Sequence, residues 1–372
     1  MNLDFTSEQE MLKTSVSKFF VNECPFSKVR EIEESVEGYS PEVWAKMAEL
    51  GWMGVLFPEE YGGFGGQFMD IVIIQEEMGK AICPSPFFST VIQCGLTILE
   101  GGSEDQKKEL LEKISEGGLI MALAQYEEEG SYLASGIRME ARPDKDGYIL
   151  NGAKMFVADA NVADRLIVAA RAGDAGITLF LVDARGEGVT CTKMPTIGMD
   201  NMCEVIFKDV KVPEGDILGE AGKGWDILDK VAPKVAVAKC AEMVGGCRTS
   251  IDMTAAYAKE REQYGKPIGG FQVIQHYMAN MLLAHDTSYN YLYRVTWMID
   301  EGLDVTKEAS ALKAQLNEKY KFVTERAVQI HGAIGTTREC DIGLFYRRAK
   351  ACEYIAGDTG FHYEKIAQGL DI

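Results

Sequence analysis

No run of the 372-residue sequence stays apolar for the roughly 20 residues that a membrane-spanning helix requires. No transmembrane helix is therefore expected. The N-terminus also lacks the order of basic start, apolar run and small-residue cleavage site, so no secretory signal is expected. Residues 1–20 read instead as an amphipathic helix carrying acids and lysines. Paired cysteines are missing: the nine cysteines are scattered, and none forms a Cys-x-x-Cys. They read as reduced core residues of a cytoplasmic protein, and no metal site is expected. Positive charge is scarce, with 38 Lys and Arg against 57 Asp and Glu and a formal charge of −19. Phosphate-backbone binding needs a basic face, so nucleic acid is not an expected partner. A few placed arginines and helix N-termini can still hold an anionic cofactor against that field.

What is present divides into three regions of different pattern. Up to residue 118 the sequence reads helical. Ser7 and Glu10 resemble a capping box, segments 41–50, 70–80, 89–99 and 106–114 have helical periodicity, and the Gly-rich stretch 57–66 is a loop. From 119 to 222 the pattern changes to short β-branched runs at 119–125, 148–150, 154–157, 166–170, 177–182 and 204–207. Gly and Asp turns separate them, Asn151-Gly152 among them. No helical stretches intervene, which disfavours a doubly wound parallel sheet. From 223 to 372 the segments are long and helical: 225–260, 271–300, 305–330 and a short one at 359–368. The expected fold class is α+β, mostly α. It comprises an N-terminal helical domain (1–118), a middle antiparallel β-domain (119–222) and a C-terminal four-helix bundle (223–372).

Several motifs lie along this frame. The stretch from Tyr257 through Arg261, Gln263, Gly265 and Pro267 to Phe271-Gln272 places a planar, permanently charged guanidinium where a helix ends. Gln329-Ile330-His331-Gly332-Ala333 is followed by Gly335 and Glu339. Asn151-Gly152 leads to Lys154, Phe156, Val157 and Ala158, and Ala124-Gln125-Tyr126-Glu127 precedes it. Together with Phe57-Pro58-Glu59-Glu60-Tyr61-Gly62-Gly63, these motifs resemble the acyl-CoA dehydrogenase family across nearly the whole chain.

The resemblance implies FAD as cofactor. Arg261 would meet its pyrophosphate, usually across a subunit interface, and Gln263 and Gln272 would also be cofactor-binding. Gln329, Gly332 and Ala333 would approach the adenosine–pyrophosphate part of a neighbouring subunit's FAD. Phe156, Val157 and Ala158 would lie beside the isoalloxazine, with Tyr126 on the adjoining strand. Ala158 and Tyr126 each stand where the family has threonine. His331 reads as a packing histidine. Thr90 and Gln93 would be polar groups near the acyl pocket, and the resemblance also places Lys234, Ala356 and Gly357 at the substrate.

The family's reaction removes a proton beside the thioester carbonyl while hydride passes to the flavin, and backbone hydrogen bonds stabilise the developing enolate. Its usual base is a glutamate, and here that position holds Ala356. Asp358, Glu353, Glu127 and Tyr126 are the substitutes in reach of a sequence argument, Asp358 having a second possible role at the FAD ribose. The remaining explanations are an unusual substrate, such as an alicyclic or dicarboxylic acyl-CoA, or a partner subunit that supplies the base. The stretches 81–88 and 356–362 resemble the pimeloyl-CoA dehydrogenase small-subunit branch, which keeps a hetero-oligomer open beside the usual homotetrameric dimer of dimers. An electron-transfer flavoprotein is the implied redox partner. Other readings on the same fold are a catalytically quiet FAD-binding subunit, an enoyl-CoA reductase and a flavin oxidase.

Overall fold

The computed structural model describes residues 4–370. The first three residues of the expected N-terminal helix lie outside them. Six helices come first: α1 (Ser7–Glu23), α2 (Phe26–Glu34), α3 (Pro41–Glu49), α4 (Phe68–Ala81), α5 (Gly95–Gly101) and α6 (Glu104–Ser115). The capping box of α1 sits one residue earlier than expected. Thr6 Oγ1 accepts from Gln9 N–H at 3.2 Å and Gln9 Oε1 from Thr6 N–H at 3.1 Å. Ser7 is the first helical residue, because the amide of Gln9 answers Thr6 as well as a carboxylate would. Just before α5, Phe88–Cys94 forms a π-helix, a wide turn that often marks functional sites.

The β-region contains β1 (Met121–Ala124), β2 (Glu140–Asp144), β3 (Gly147–Ala158), β4 (Arg165–Arg171), β5 (Ile177–Asp183), β6 (Val189–Lys193), β7 (Met202–Pro213) and β8 (Ile217–Leu218). They form one sheet in the order β6-β7-β3-β2-β4-β5-β8, with β1 also paired to β4. The expected antiparallel sheet is in fact mixed, since β1 runs parallel to β4 and β2 meets β4 in a parallel pair. The chain between β1 and β4 is long enough to include the β2–β3 hairpin, and such a crossover is what parallel pairing requires. A second correction concerns Asn151-Gly152, which is no turn. β3 continues through it with a bulge between Leu150 and Gly152, where Gly152 has φ +146°. The Asn151 amide exchanges two hydrogen bonds with Asp209 on β7, at 3.1 and 2.9 Å, so long-range pairing overrides the local turn chemistry.

Five helices follow: α7 (Gly224–Glu260), α8 (Gln272–Asp300), α9 (Thr306–His331), α10 (Ile342–Tyr354) and α11 (Thr359–Gln368). The expected four-helix bundle thus gains α10. Its buried face (Ile342, Phe345, Ala349, Cys352) has helical spacing, but Gly343 and the cationic run Arg347-Arg348-Ala349-Lys350 obscure it in sequence.

The chain divides into two compact units. One comprises Met1–Arg30, Phe68–Cys83 and Ala236–Ile372; the other comprises Glu31–Gln67 and Pro84–Val235. In the first, α9 packs against α8, α10 and α11, and α4 packs against α1 and α8. In the second, the apolar runs of the paired strands β4 and β5 are buried along almost their whole length.

Candidate active site

Within the unit containing the sheet, β3 breaks register with β7 between Lys154 and Val157. Phe156 sits at that break with φ +55° and is 44% exposed, while Val157 is buried and Ala158 half-buried. Bulges of this kind turn a side chain out of a sheet, and here the result is a phenyl face open to a planar ligand. Met155 N–H is held by Tyr126 O at 2.9 Å, which ties this edge to the segment after β1.

Two candidate bases lie in the same unit. Tyr126 packs edge-on against Tyr132 with centroids 5.6 Å apart, and burial pushes its hydroxyl up to about 12. Glu127 is committed elsewhere: its Oε1 accepts from Lys154 Nζ at 2.7 Å, Met139 N–H at 2.9 Å and Arg138 N–H at 3.0 Å. Burial opposes its charge, yet Lys154 and those N–H groups hold the carboxyl below the usual carboxylate range. Both groups are therefore poor proton acceptors at neutral pH.

On the π-helix the two substrate candidates differ. Thr90 Oγ1 accepts from Met121 N–H and donates to Met121 O, both at 3.0 Å, which leaves little for a ligand. The Gln93 amide has no protein partner among the described residues. Lys234, next to Pro233 within α7, is exposed.

In the helical unit, α7 ends in a hairpin whose turn residues Tyr264 and Gly265 have φ +54° and +77°. Arg261 is exposed there, and its guanidinium has no protein partner among the described residues. Gln263 Nε2 donates to Glu262 O at 2.8 Å, and Gln272 is exposed at the start of α8. Gln329, Gly332 and Ala333 are exposed at the end of α9. Gly332 has φ +69° with open space where a Cβ would stand, so its backbone can approach a ligand closely. His331 is a packing group: its ring stacks on Tyr257 at 4.4 Å and its Nδ1 hydrogen-bonds Ala327 O at 2.8 Å.

The loop between α10 and α11 carries Ala356 with φ +60° and Gly357 with φ +103°. A Cβ at Gly357 would stand 2.5 Å from His362 Nε2, so only glycine fits. The loop's carbonyls are fixed from behind. Ala356 O accepts from His362 Nε2–H at 2.9 Å, and Gly357 O from Lys313 Nζ at 3.0 Å. The Ala356 N–H meets no acceptor among the described residues. Neither flanking acid is free. Glu353 pairs with Lys350 at 2.9 Å, and Asp358 caps α11 by accepting from Phe361 N–H at 2.8 Å. Sequence reading missed Lys313, which occupies the apolar phase of α9 between the buried Ala309 and Leu316. That phase was the available signal.

Domain models of the acyl-CoA dehydrogenases match almost the entire chain: the N-terminal domain over residues 6–118, the middle domain over 122–210 and the C-terminal domain over 222–370. The chain belongs to the acyl-CoA dehydrogenase family. It is 31% identical to a probable acyl-CoA dehydrogenase of Bacillus subtilis over the full length of both chains. It is also 31% identical to the caffeyl-CoA reductase–Etf complex subunit CarC of Acetobacterium woodii, covering 95% of this chain and 96% of that one. The butyryl-CoA dehydrogenase structure from Megasphaera elsdenii superposes with a TM-score of 0.92 at 28% identity, covering 100% of both chains.

Like other acyl-CoA dehydrogenases, this chain is a flavin-dependent oxidoreductase, with FAD as cofactor. Its residues fit that group. An exposed guanidinium suits a diphosphate, an open glycine suits close backbone approach, and the outward phenyl ring of Phe156 suits a planar face. No described helix is long and apolar enough to cross a membrane.

Proposed function

We propose that this acyl-CoA dehydrogenase acts on a non-standard CoA thioester, alicyclic or dicarboxylic, with no carboxylate base at position 356. The observation that supports this reading is the 354–357 loop, which offers an Ala356 N–H unpaired among the described residues but only a methyl group as side chain. An N–H in a fixed loop suits a thioester oxygen that becomes anionic as the proton leaves. A methyl group cannot take that proton, and Glu353, Asp358, Glu127 and Tyr126 are each tied or disfavoured as bases. A substrate whose labile proton lies on another carbon needs no base at position 356, because that proton can pass to water or, in a dicarboxylic ester, to the substrate's own carboxylate.

When bound, FAD supplies the hydride acceptor. The chain's part is placement. Phe156, Val157 and Ala158 flank the flavin ring, with Tyr126 beside them. Arg261 holds pyrophosphate, Gln263 and Gln272 help bind the cofactor, and Gln329, Gly332 and Ala333 serve the adenosine–pyrophosphate part of a neighbouring subunit's FAD. Gln93 and Gly357 contact the substrate. The exposed apolar residues Tyr264 (95%), Val273 (53%) and Leu283 (63%) favour an oligomer that covers them. The name of the Acetobacterium relative supports an electron-transfer flavoprotein as redox partner.

One observation favours a second reading, the reduction of an enoyl-CoA. Delivering hydride to the unsaturated carbon leaves an enolate that water can protonate, so a missing carboxylate costs less in that direction. The same relative is named as a reductase.

Purified chain reconstituted with FAD tests the proposal by its colour and by anaerobic mixing with CoA esters. The reading expects a yellow protein that bleaches unaided with an alicyclic or dicarboxylic ester. A chain that stays colourless, or that bleaches only when a second subunit is added, would instead be a quiet partner in a hetero-oligomer.

A further inference from the structure

Lys313 is fully buried on α9, yet no carboxylate among the described residues hydrogen-bonds its ammonium. Nζ shares its three hydrogens among Asn317 Oδ1 and three backbone carbonyls, Cys352 O at 3.0 Å, Glu353 O at 3.3 Å and Gly357 O at 3.0 Å. Two of these lie in the last turn of α10, and the third, Gly357 O, lies in the loop that follows it. The intervening residues 354–356 are therefore pinched into a fixed arch over one buried cation. Asn317 Nδ2 adds a 3.4 Å contact to Gly357 O, and His362 holds Ala356 O from α11.

Burying an ammonium among neutral acceptors is costly, and such a group is seldom kept for stability alone. We propose that Lys313 is a positioning residue for the reaction: it fixes the 354–357 arch so that the Ala356 N–H points at the thioester oxygen, and its charge steadies the negative charge that develops there. This rests on the reading of that loop as the thioester site. Lys239 and Cys240 of α7, Cys352 and Glu353 of α10 and His362 of α11 are the titratable groups around it. Burial lowers the Lys313 ammonium to about 8, so its charge is lost within an accessible pH range.

The test uses FAD-loaded wild type, Lys313→Met and Asn317→Asp, with kcat and KM measured from pH 6 to 10. The infrared stretch of a bound, isotope-labelled thioester carbonyl is recorded alongside. For Lys313→Met we expect kcat to fall about 100-fold, the scale of a lost oxyanion contact, with KM within about threefold and the carbonyl stretch moved toward that of free ester. Wild-type kcat should decline as pH rises through about 8. Asn317→Asp gives the ammonium a carboxylate partner and should move that decline to higher pH. If Lys313→Met fails to fold, the Asn317→Asp limb decides. An unmoved alkaline limb, or unchanged kcat in Lys313→Met, overturns the role of Lys313. A wild-type carbonyl stretch no different from free ester overturns the reading of the loop itself.

Discussion

His362 Nε2 lies 2.9 Å from the carbonyl oxygen of Ala356, so the ring donates to the loop and its other nitrogen, Nδ1, is buried without a partner among the described residues. The ring is therefore neutral. Burial, and then the nearby Lys313 charge, lower it to about 4. Below its ordinary value of 6.5 the unfolded chain takes up a proton that the folded chain refuses, so stability is lost as pH falls from 6.5 toward 4. The full difference is about 3 kcal/mol. Urea unfolding at pH 7 and pH 4.5 should show wild type losing most of that amount relative to His362→Leu. Equal losses in the two proteins would mean that His362 titrates normally.

Lys154 is completely buried, and Glu127 is its carboxylate partner. Glu127→Gln leaves the ammonium uncompensated and should cost about 3–5 kcal/mol in chemical unfolding. Replacing both, as Glu127→Gln with Lys154→Met, should recover part of that loss. Activity per bound flavin in Glu127→Gln should stay within about threefold of wild type. A loss of about 100-fold with flavin retained would make Glu127 the base after all.

The Arg261 guanidinium has no protein partner among the described residues, so Arg261→Ala should leave unfolding free energy within about 0.5 kcal/mol. FAD affinity should fall about 10- to 100-fold, as expected for the loss of a charge-assisted pair to phosphate. Titration of the apoprotein with FAD measures this. Unchanged affinity would remove Arg261 from the cofactor site.

The fold order was legible because its signals are local: helical periodicity before 119 and after 223, and β-branched runs between. Arg261, Gln329 and Phe156 were legible as family motifs, and Ala356 as an exception to one. Other features depend on contacts distant in sequence. Asn151-Gly152 has turn chemistry, but Asp209 on another strand decides its fate. The positive φ of Phe156 and Ala356 leaves no trace in residue type. Lys313 reads as a solvated charge until the carbonyls of 352, 353 and 357 are seen around it. Glu127 looks like a spare base until Lys154 is found 2.7 Å away.

Ala356 already occupies the left-handed region without glycine, so a longer side chain adds little backbone strain there. Ala356→Glu should raise dehydrogenation of a straight-chain saturated acyl-CoA by about 100-fold or more, the usual worth of a placed base. Steady-state assay with an artificial electron acceptor checks this. No gain in a variant that still binds FAD and CoA ester would mean that position 356 does not face the substrate.

The most direct test is anaerobic rapid mixing of FAD-loaded wild type with a straight-chain saturated acyl-CoA and, separately, with alicyclic and dicarboxylic esters. The account predicts that at least one non-standard ester bleaches the flavin about 100-fold faster or more than the straight-chain ester does. Bleaching by the straight-chain ester as fast as by any other would contradict it, because a working base would then stand in the ordinary place.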